Sequence, residues 1–404
     1  MSRPVLPEEQ IDRSPGRGSI VLVVLDGLGG LPHPDSGLTE LETARTPNLD
    51  ALAGRSSLGS LDPVARGITP GSGPGHLSLF GYHPLDYVIG RGALSALGVG
   101  VDLKPGDVAA RLNLATYDAD GRVTDRRAGR PSDAEGARVV DLLNSRLVRP
   151  DGVQLKLVHE KEHRVVLWIS GPDLSDGLTD TDPLETGVPA HECSATDPAS
   201  ERTAEIVRDF LRQSREILVG EGALNGFLAR GFACFEPIPT MDERFGLKGV
   251  AIAKYPMYRG VAKMVGMKVD EVPTDMEETI SVLERAWGKY DLYFVHFKDT
   301  DTHGHDGNFA GKVAAIEAID ALVPRMTALN PDVLIFTGDH STPATLGEHS
   351  WHAVPTLLAS RLGRPTGPSF GESICREGDL GRFHGTDLIP LALAHAGRLV
   401  KFGA

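Results

Sequence analysis

Three short runs of mostly apolar residues stand out along the chain: Ile20 to Leu25, Leu292 to Phe297 and Val333 to Thr337. Each is five or six residues long and stops at a polar loop, two of these loops opening with Asp-Gly or Gly-Asp, as expected for strands buried on both faces of a sheet. Shorter apolar runs at Gly249–Ala253 and Pro355–Leu358 predict two more strands of the same kind. Between and after them the apolar positions recur at helical spacing. Helices are predicted at Thr46–Ala53, with Thr46 as cap and Pro47 in the first turn, and at Arg259–Met264, Met276–Trp287, Val313–Leu322 and Leu388–Ala396. The middle of the chain reads differently. Val108–Ala115, Val153–Val158 and Arg164–Ile169 are strand-like but of mixed polarity, loops rich in Pro, Asp and Thr separate them, and Thr203–Val219 is an amphipathic helix. The predicted fold is therefore α/β: one mostly parallel sheet flanked by helices, assembled from residues 1–87 and 247–404, and interrupted by an inserted α+β domain over residues 88–246.

Bulk composition narrows the function classes. The 404 residues are 41% apolar and 24% charged, ordinary values for a soluble globular protein. A formal net charge of −14 argues against nucleic acid as the main partner, since phosphate backbones select basic surfaces. Ile20–Leu25 is too short for a membrane span or a signal sequence. Cys193, Cys234 and Cys375 are odd in number and widely spaced, without metal-binding or disulfide patterning, and fit a reducing cytoplasm.

The candidate chemistry sits where the apolar runs end. In an open α/β sheet the C-terminal strand ends share one crevice, where ligands bind. Asp26 follows the first run, and Asp339-His340 follows the third. After the second comes Lys298-Asp299-Thr300-Asp301-Thr302-His303-Gly304-His305-Asp306, which offers two Asp/His pairs four residues apart, Asp299/His303 and Asp301/His305. The latter is preferred because Gly304 permits tight curvature beside His305, with Asp306 placed to orient the imidazole. His349 and His352 precede another strand, and either could serve as a ligand. Each element alone is commonplace, because Asp-Gly is a frequent turn. Together they supply the carboxylates and imidazoles of a divalent-metal site. Ser72 lies in a loop, Gly67–Gly75, with four glycines and two prolines in nine residues. Beside metals such a hydroxyl becomes a nucleophile, and a helix starting near His76 would add its positive end.

The order Asp26-Gly27, Ser72-x-x-Gly75-His76, Asp301-x-x-Gly304-His305, Asp339-His340-Ser341 and His349-Ser350-x-x-x-Val354-Pro355 resembles the alkaline-phosphatase superfamily. More closely it resembles the archaeal-type branch of the cofactor-independent phosphoglycerate mutases, and the likeness covers most of the chain. It implies a phosphatase-like catalytic domain carrying an inserted lid. It also implies two divalent ions, manganese first with magnesium or zinc as alternatives, and no 2,3-bisphosphoglycerate. By analogy one ion takes Asp26, Ser72, Asp339 and His340, and the other takes Asp301, His305 and His349. The implied reaction interconverts 3- and 2-phosphoglycerate through a phosphoserine on Ser72. Arg91, Arg164, Arg230 and Lys254 are candidates to hold the substrate carboxylate. Two departures from the family pattern are Gly73-Pro74 directly after Ser72 and a histidine at position 303. Alternative readings are a metal-dependent phosphatase or phosphonate hydrolase, a phosphopentomutase, or a regulatory protein with a vestigial metal site.

Overall fold

A computed structural model describes residues 6–14, 18–87 and 90–403. The strands in chain order are β1 (Ile20–Leu25), β2 (Ser57–Asp62), β3 (Val108–Tyr117), β4 (Val123–Asp125), β5 (Gln154–Lys161), β6 (Arg164–Ser170) and β7 (Gly226–Cys234). They continue with β8 (Gly249–Ile252), β9 (Leu292–Phe297), β10 (Val333–Thr337), β11 (Val354–Ser360) and β12 (Gly381–His384). The chain divides into two compact units, residues 1–88 with 239–404, and residues 89–238. The second boundary falls before the helix Met241–Phe245, which belongs with the outer segments, so the insert closes earlier than position 246.

The first unit holds a seven-stranded sheet in the order β12-β2-β11-β10-β1-β9-β8. The sheet is mostly parallel; the exception is β11, antiparallel to both of its neighbours. β1 lies between β9 and β10, with Leu25 opposite Phe297 and Val24 opposite Thr337. All six of its residues are buried, as the unbroken apolar run requires. Val21, Val23 and Leu25 face a core shared with Ile280, Leu283, Ile316, Ile319 and Phe336. This register brings three parallel strands to an end at the same level, so the residues that follow them, Asp26, Lys298 and Gly338-Asp339, gather along one edge.

The second unit is an antiparallel sheet in the order β4-β3-β6-β5, with β7 on the other side of β3. The helices Asp133–Arg146 and Glu201–Ile217 bury their apolar faces against it, Phe210 stacking on Phe227 at 5.8 Å. Capping boxes at Ser132/Glu135 and Thr240/Glu243 fix the starts of Asp133–Arg146 and Met241–Phe245.

Candidate active site

The site at the edge of the first unit is built from backbone upward. After β1 the chain turns at Gly27 in the left-handed region (φ 63°), where a side chain would also collide with Thr342 and Asp301. Asp26 is thereby aimed into the edge, fully buried. After β10, Asp339 Oδ1 accepts the Gly27 N–H at 3.2 Å, which locks the two strand-end loops together. Ser72 opens the helix Ser72–Leu79, with Gly71 as cap. The helix thus starts four residues earlier than expected, and Ser72 itself occupies its positive end. Gly75 lets the helix touch the Asp339 carbonyl, which a Cβ would approach to 2.3 Å.

Around Ser72 the donors converge. Ser72 Oγ lies 3.1 Å from His340 Nε2. That nitrogen lies 3.3 Å from Asp26 Oδ1 and 3.3 Å from Asp339 Oδ2. A second group stands beside it: Asp301 Oδ1 is 3.6 Å from His305 Nε2 and 3.6 Å from His349 Nε2. Among the described residues these are the two sets of side chains whose ligand atoms cluster closely enough for a metal ion. Metal bonds of about 2.0–2.2 Å set neighbouring donors roughly 3.0–3.5 Å apart; the first group matches that spacing at 3.3 Å, and the second is slightly wider at 3.6 Å. The buried oxygen Asp26 Oδ1 also lacks a hydrogen-bond partner among the described residues, as an open ligand position does. The donor sets therefore fit a pair of divalent cations.

The electrostatics agree. Burial is the largest influence on His340 and holds its imidazole below the usual range, hence neutral with a lone pair to give. Burial opposes ionisation of Asp26, but Lys298, His296 and His340 outweigh it, and the carboxyl stays well below its ordinary pKa. Lys298 is a residue that the sequence reading passed over. Its ammonium contacts Asp26 Oδ2 at 3.0 Å and also Asp301 Oδ2, leaving the Oδ1 atoms of both facing the histidines. Burial works against its charge, but the two carboxylates raise its pKa. Its position directly after β9, level with Asp26, was the available signal. Thr342 was also missed: its hydroxyl donates to Asp301 Oδ1 at 2.7 Å and lies 3.0 Å from His340 Nδ1. Two more histidines back the carboxylates: His76 Nδ1 is 3.1 Å from Asp339 Oδ2, and His296 Nε2 is 3.3 Å from Asp26 Oδ2.

Several expectations change in detail. Asp301 and His305 share a face of the short helix Asp299–His305, and Gly304 is needed for close approach to the Thr342 carbonyl rather than for curvature. Asp306 does not orient His305; the Gly347 carbonyl does, 3.1 Å from Nδ1. Asp299 is exposed, and neither it nor His303 joins a donor cluster. His352 faces Ser350 Oγ at 3.0 Å instead of the carboxylates. Lys254 is exposed in the loop after β8, with no side-chain hydrogen bond or ion pair among the described residues.

The other three cationic candidates lie in the second unit. Arg164 and Arg230 line a pocket of about 320 Å³ with Arg111, Arg126, Arg127, Arg130 and Lys161. Arg91 shares a neighbouring pocket of about 360 Å³ with Arg111 and Arg230. Asp182 holds Arg126 bidentately at 2.7 and 2.9 Å and pairs with Arg230 at 3.3 Å. Arg127 and Arg130 sit on a turn whose residues Ala128, Gly129 and Arg130 all have positive φ (46°, 71° and 54°), strain of a kind that gathers at ligand clamps. The Asp125 carboxylate sustains that turn by accepting the Arg127 and Gly129 N–H groups, both at 2.7 Å.

A family model described as 2,3-bisphosphoglycerate-independent phosphoglycerate mutase matches residues 53–222. A Thermus thermophilus relative named "probable 2,3-bisphosphoglycerate-independent phosphoglycerate mutase" is 50% identical over 99% of this chain and 99% of its own. The chain belongs to this mutase family. Among solved structures, the cofactor-independent phosphoglycerate mutase from Thermoplasma acidophilum is 31% identical, covering 94% of this chain and 100% of its own at a TM-score of 0.71. A Pyrococcus horikoshii protein is 32% identical, covering 96% and 100%, at a TM-score of 0.80. Among the described residues no helix of this mutase-family chain is long and apolar enough to cross a membrane.

Proposed function

We propose that this chain interconverts 3-phosphoglycerate and 2-phosphoglycerate through a phosphoserine on Ser72, using two divalent ions and no 2,3-bisphosphoglycerate. Membership of the mutase family carries the reaction class, an isomerase acting on phosphoglycerate. The observation that carries the mechanism is the position of Ser72 Oγ, at a helix N-terminus and 3.1 Å from His340 of the Asp26/Asp339/His340 group.

Asp26, Ser72, Asp339 and His340 would hold one ion and Asp301, His305 and His349 the other. The mixed carboxylate and imidazole donors suit manganese, with magnesium or zinc as alternatives. When bound, the ions supply charge to neutralise the phosphoryl oxygens and lower the pKa of the Ser72 hydroxyl. The protein's own groups do the rest. The helix N-terminus directs backbone dipoles at the incoming phosphoryl group. Lys298, kept protonated between two carboxylates, adds positive charge beside the transferring group. Ser72 attacks phosphorus as the phosphoglycerate oxygen leaves; glycerate turns, and its other hydroxyl then displaces Ser72. Between the two transfers glycerate must stay and water must be kept out.

Retention of glycerate is the task we assign to the insert, and Arg91, Arg164 and Arg230 are the proposed carboxylate anchors, supported by the cluster of arginines around them. Lys254 remains a proposed anchor on its charge alone. The three unpaired cysteines support a cytoplasmic setting. The deciding experiment is a coupled assay of 3-phosphoglycerate conversion by chelated enzyme, with and without Mn²⁺ and with no added bisphosphoglycerate. Metal-restored formation of 2-phosphoglycerate is expected. Inorganic phosphate as the main product would instead make the chain a phosphatase.

A further inference from the structure

Lys312 stands on the helix Phe309–Asp320 and is wholly buried, with no accessible surface. A lysine so placed must satisfy its ammonium internally, since burying an unpaired charge is strongly unfavourable. Its Nζ donates to the Gly29 carbonyl at 3.1 Å and the Thr342 carbonyl at 2.9 Å, and lies 3.8 Å from Glu40 Oε1. Glu40 is equally buried and accepts the Ala344 N–H at 2.7 Å.

Both carbonyls belong to loops that carry the site, and Glu40, which opens the helix Glu40–Thr43, reaches one of those loops through Ala344. Gly29 belongs to the turn after Asp26, and Thr342 and Ala344 belong to the turn after Asp339-His340. The Thr342 N–H donates back to the Gly27 and Gly29 carbonyls at 3.2 and 3.1 Å, so Lys312 clamps a junction that is already stitched together. Beyond that junction the Thr342 hydroxyl reaches Asp301 of one donor group and His340 of the other. A leucine would fill the helix position without these demands. The lysine's contacts serve the loops, none its own helix.

We propose that Lys312, neutralised by Glu40, is a positioning residue that sets the spacing of the two Asp/His groups through Gly29 and Thr342. This rests on the reading of those groups as a metal centre.

The test titrates Mn²⁺ into metal-free enzyme by calorimetry and records the electron paramagnetic resonance spectrum of the bound ion. Lys312→Met, Lys312→Met/Glu40→Gln, which leaves no charge unpaired, and Ile316→Ala are compared with wild type. Ile316 lies one turn along the same helix and is buried in the apolar core, with no polar side-chain group to place near the Asp and His donors. Both Lys312 variants should bind Mn²⁺ about 10–100-fold more weakly, the effect typical of losing an outer support of metal ligands, with a changed zero-field splitting. Ile316→Ala should melt earlier yet keep wild-type affinity and spectrum. The proposal is overturned if the Lys312 variants fold and keep the wild-type affinity and spectrum, or if Ile316→Ala weakens Mn²⁺ binding as much. It is overturned as well if neither Lys312 variant folds, because the lysine would then hold the core rather than the loops. Failure of wild type to bind Mn²⁺ would reject the metal reading itself.

Discussion

The imidazoles of His340 and His349 stack with ring centroids 3.6 Å apart and planes 25° from parallel. One ring belongs to the donor group around Ser72 and the other to the group around Asp301, so the two groups adjoin. Two-metal phosphoryl-transfer sites need this closeness, with ions about 3.5–4 Å apart. His305 and His349 rings are also close, at 5.0 Å.

Metal content follows from this pairing. Chelation should remove activity, and Mn²⁺ should restore it better than Ca²⁺, which prefers all-oxygen sites. His305→Ala and His349→Ala should each lose about one ion per chain relative to a two-ion wild type. Asp299→Ala and His303→Ala should lose none. Elemental analysis of the dialysed proteins decides it, and metal loss confined to the Asp299 and His303 variants would reject the assignment.

Ser72→Ala should abolish mutase turnover while leaving the fold intact. The change removes only a hydroxyl from the partly exposed first residue of the helix Ser72–Leu79, and the Asp and His donors have other supports. The substituted enzyme should also fail to take up radiolabelled phosphate covalently from 3-phosphoglycerate. Turnover close to wild type would remove Ser72 from the mechanism.

What the sequence makes legible here is whatever depends on strand ends. The runs Ile20–Leu25, Leu292–Phe297 and Val333–Thr337 are β1, β9 and β10 residue for residue, because strands buried on both faces are almost wholly apolar and stop where charged or glycine-containing loops begin. The polar residues that follow them were therefore easy to nominate. Lys298 and Thr342 were not, because their roles depend on contacts between loops far apart in the chain: Lys298 with Asp26, and Thr342 with Asp301. The arginines of the insert were harder still. Arg111, Arg126, Arg127 and Arg130 come from β3 and a turn whose positive φ values no propensity scale predicts at Ala128 or Arg130.

Gly304 offers a steric prediction. A Cβ there would lie 2.4 Å from the Thr342 carbonyl oxygen, a backbone atom that cannot swing aside. Gly304→Ala should push the Asp299–His305 helix away from the 341–344 turn. The expected cost is about 1–3 kcal/mol of stability, as for other overpacked sites, with weaker Mn²⁺ binding because Asp301 and His305 move with the helix. Chemical denaturation and Mn²⁺ titration measure the two effects. An unchanged Mn²⁺ affinity would mean that the helix relaxes without carrying its donors along.

Arg230→Ala should lower the ratio of isomerisation to phosphate release. If Arg230 anchors the glycerate carboxylate, its loss lets glycerate escape while the phosphoryl group waits on Ser72, and water then completes the reaction. The contact at stake is charge-assisted, about twice as strong as a neutral hydrogen bond. More label should enter inorganic phosphate from isotopic water in the variant than in wild type. An unchanged ratio would leave Arg230 as a partner of Asp182 alone.

The arginine pocket also imposes a pH signature on stability. His163 is buried beside it, and burial first, then Arg164, pushes its pKa from 6.5 to about 4. Arg127 and Arg130 act in the same direction, while Glu162 opposes them. The folded protein therefore binds fewer protons at this ring than the unfolded chain does between those two values. Linkage makes the sign definite: stability is full above 6.5 and falls as pH drops from 6.5 towards 4, because protonation favours the unfolded state. His163→Gln removes the titrating ring. Measured across that range on metal-free protein, the melting temperature of wild type should fall more steeply with acidification than that of the variant, and the two slopes should agree above neutrality. Parallel curves throughout would show that the ring takes up its proton in the folded state as easily as in the unfolded one, and that the surrounding arginines exert no net repulsion on it.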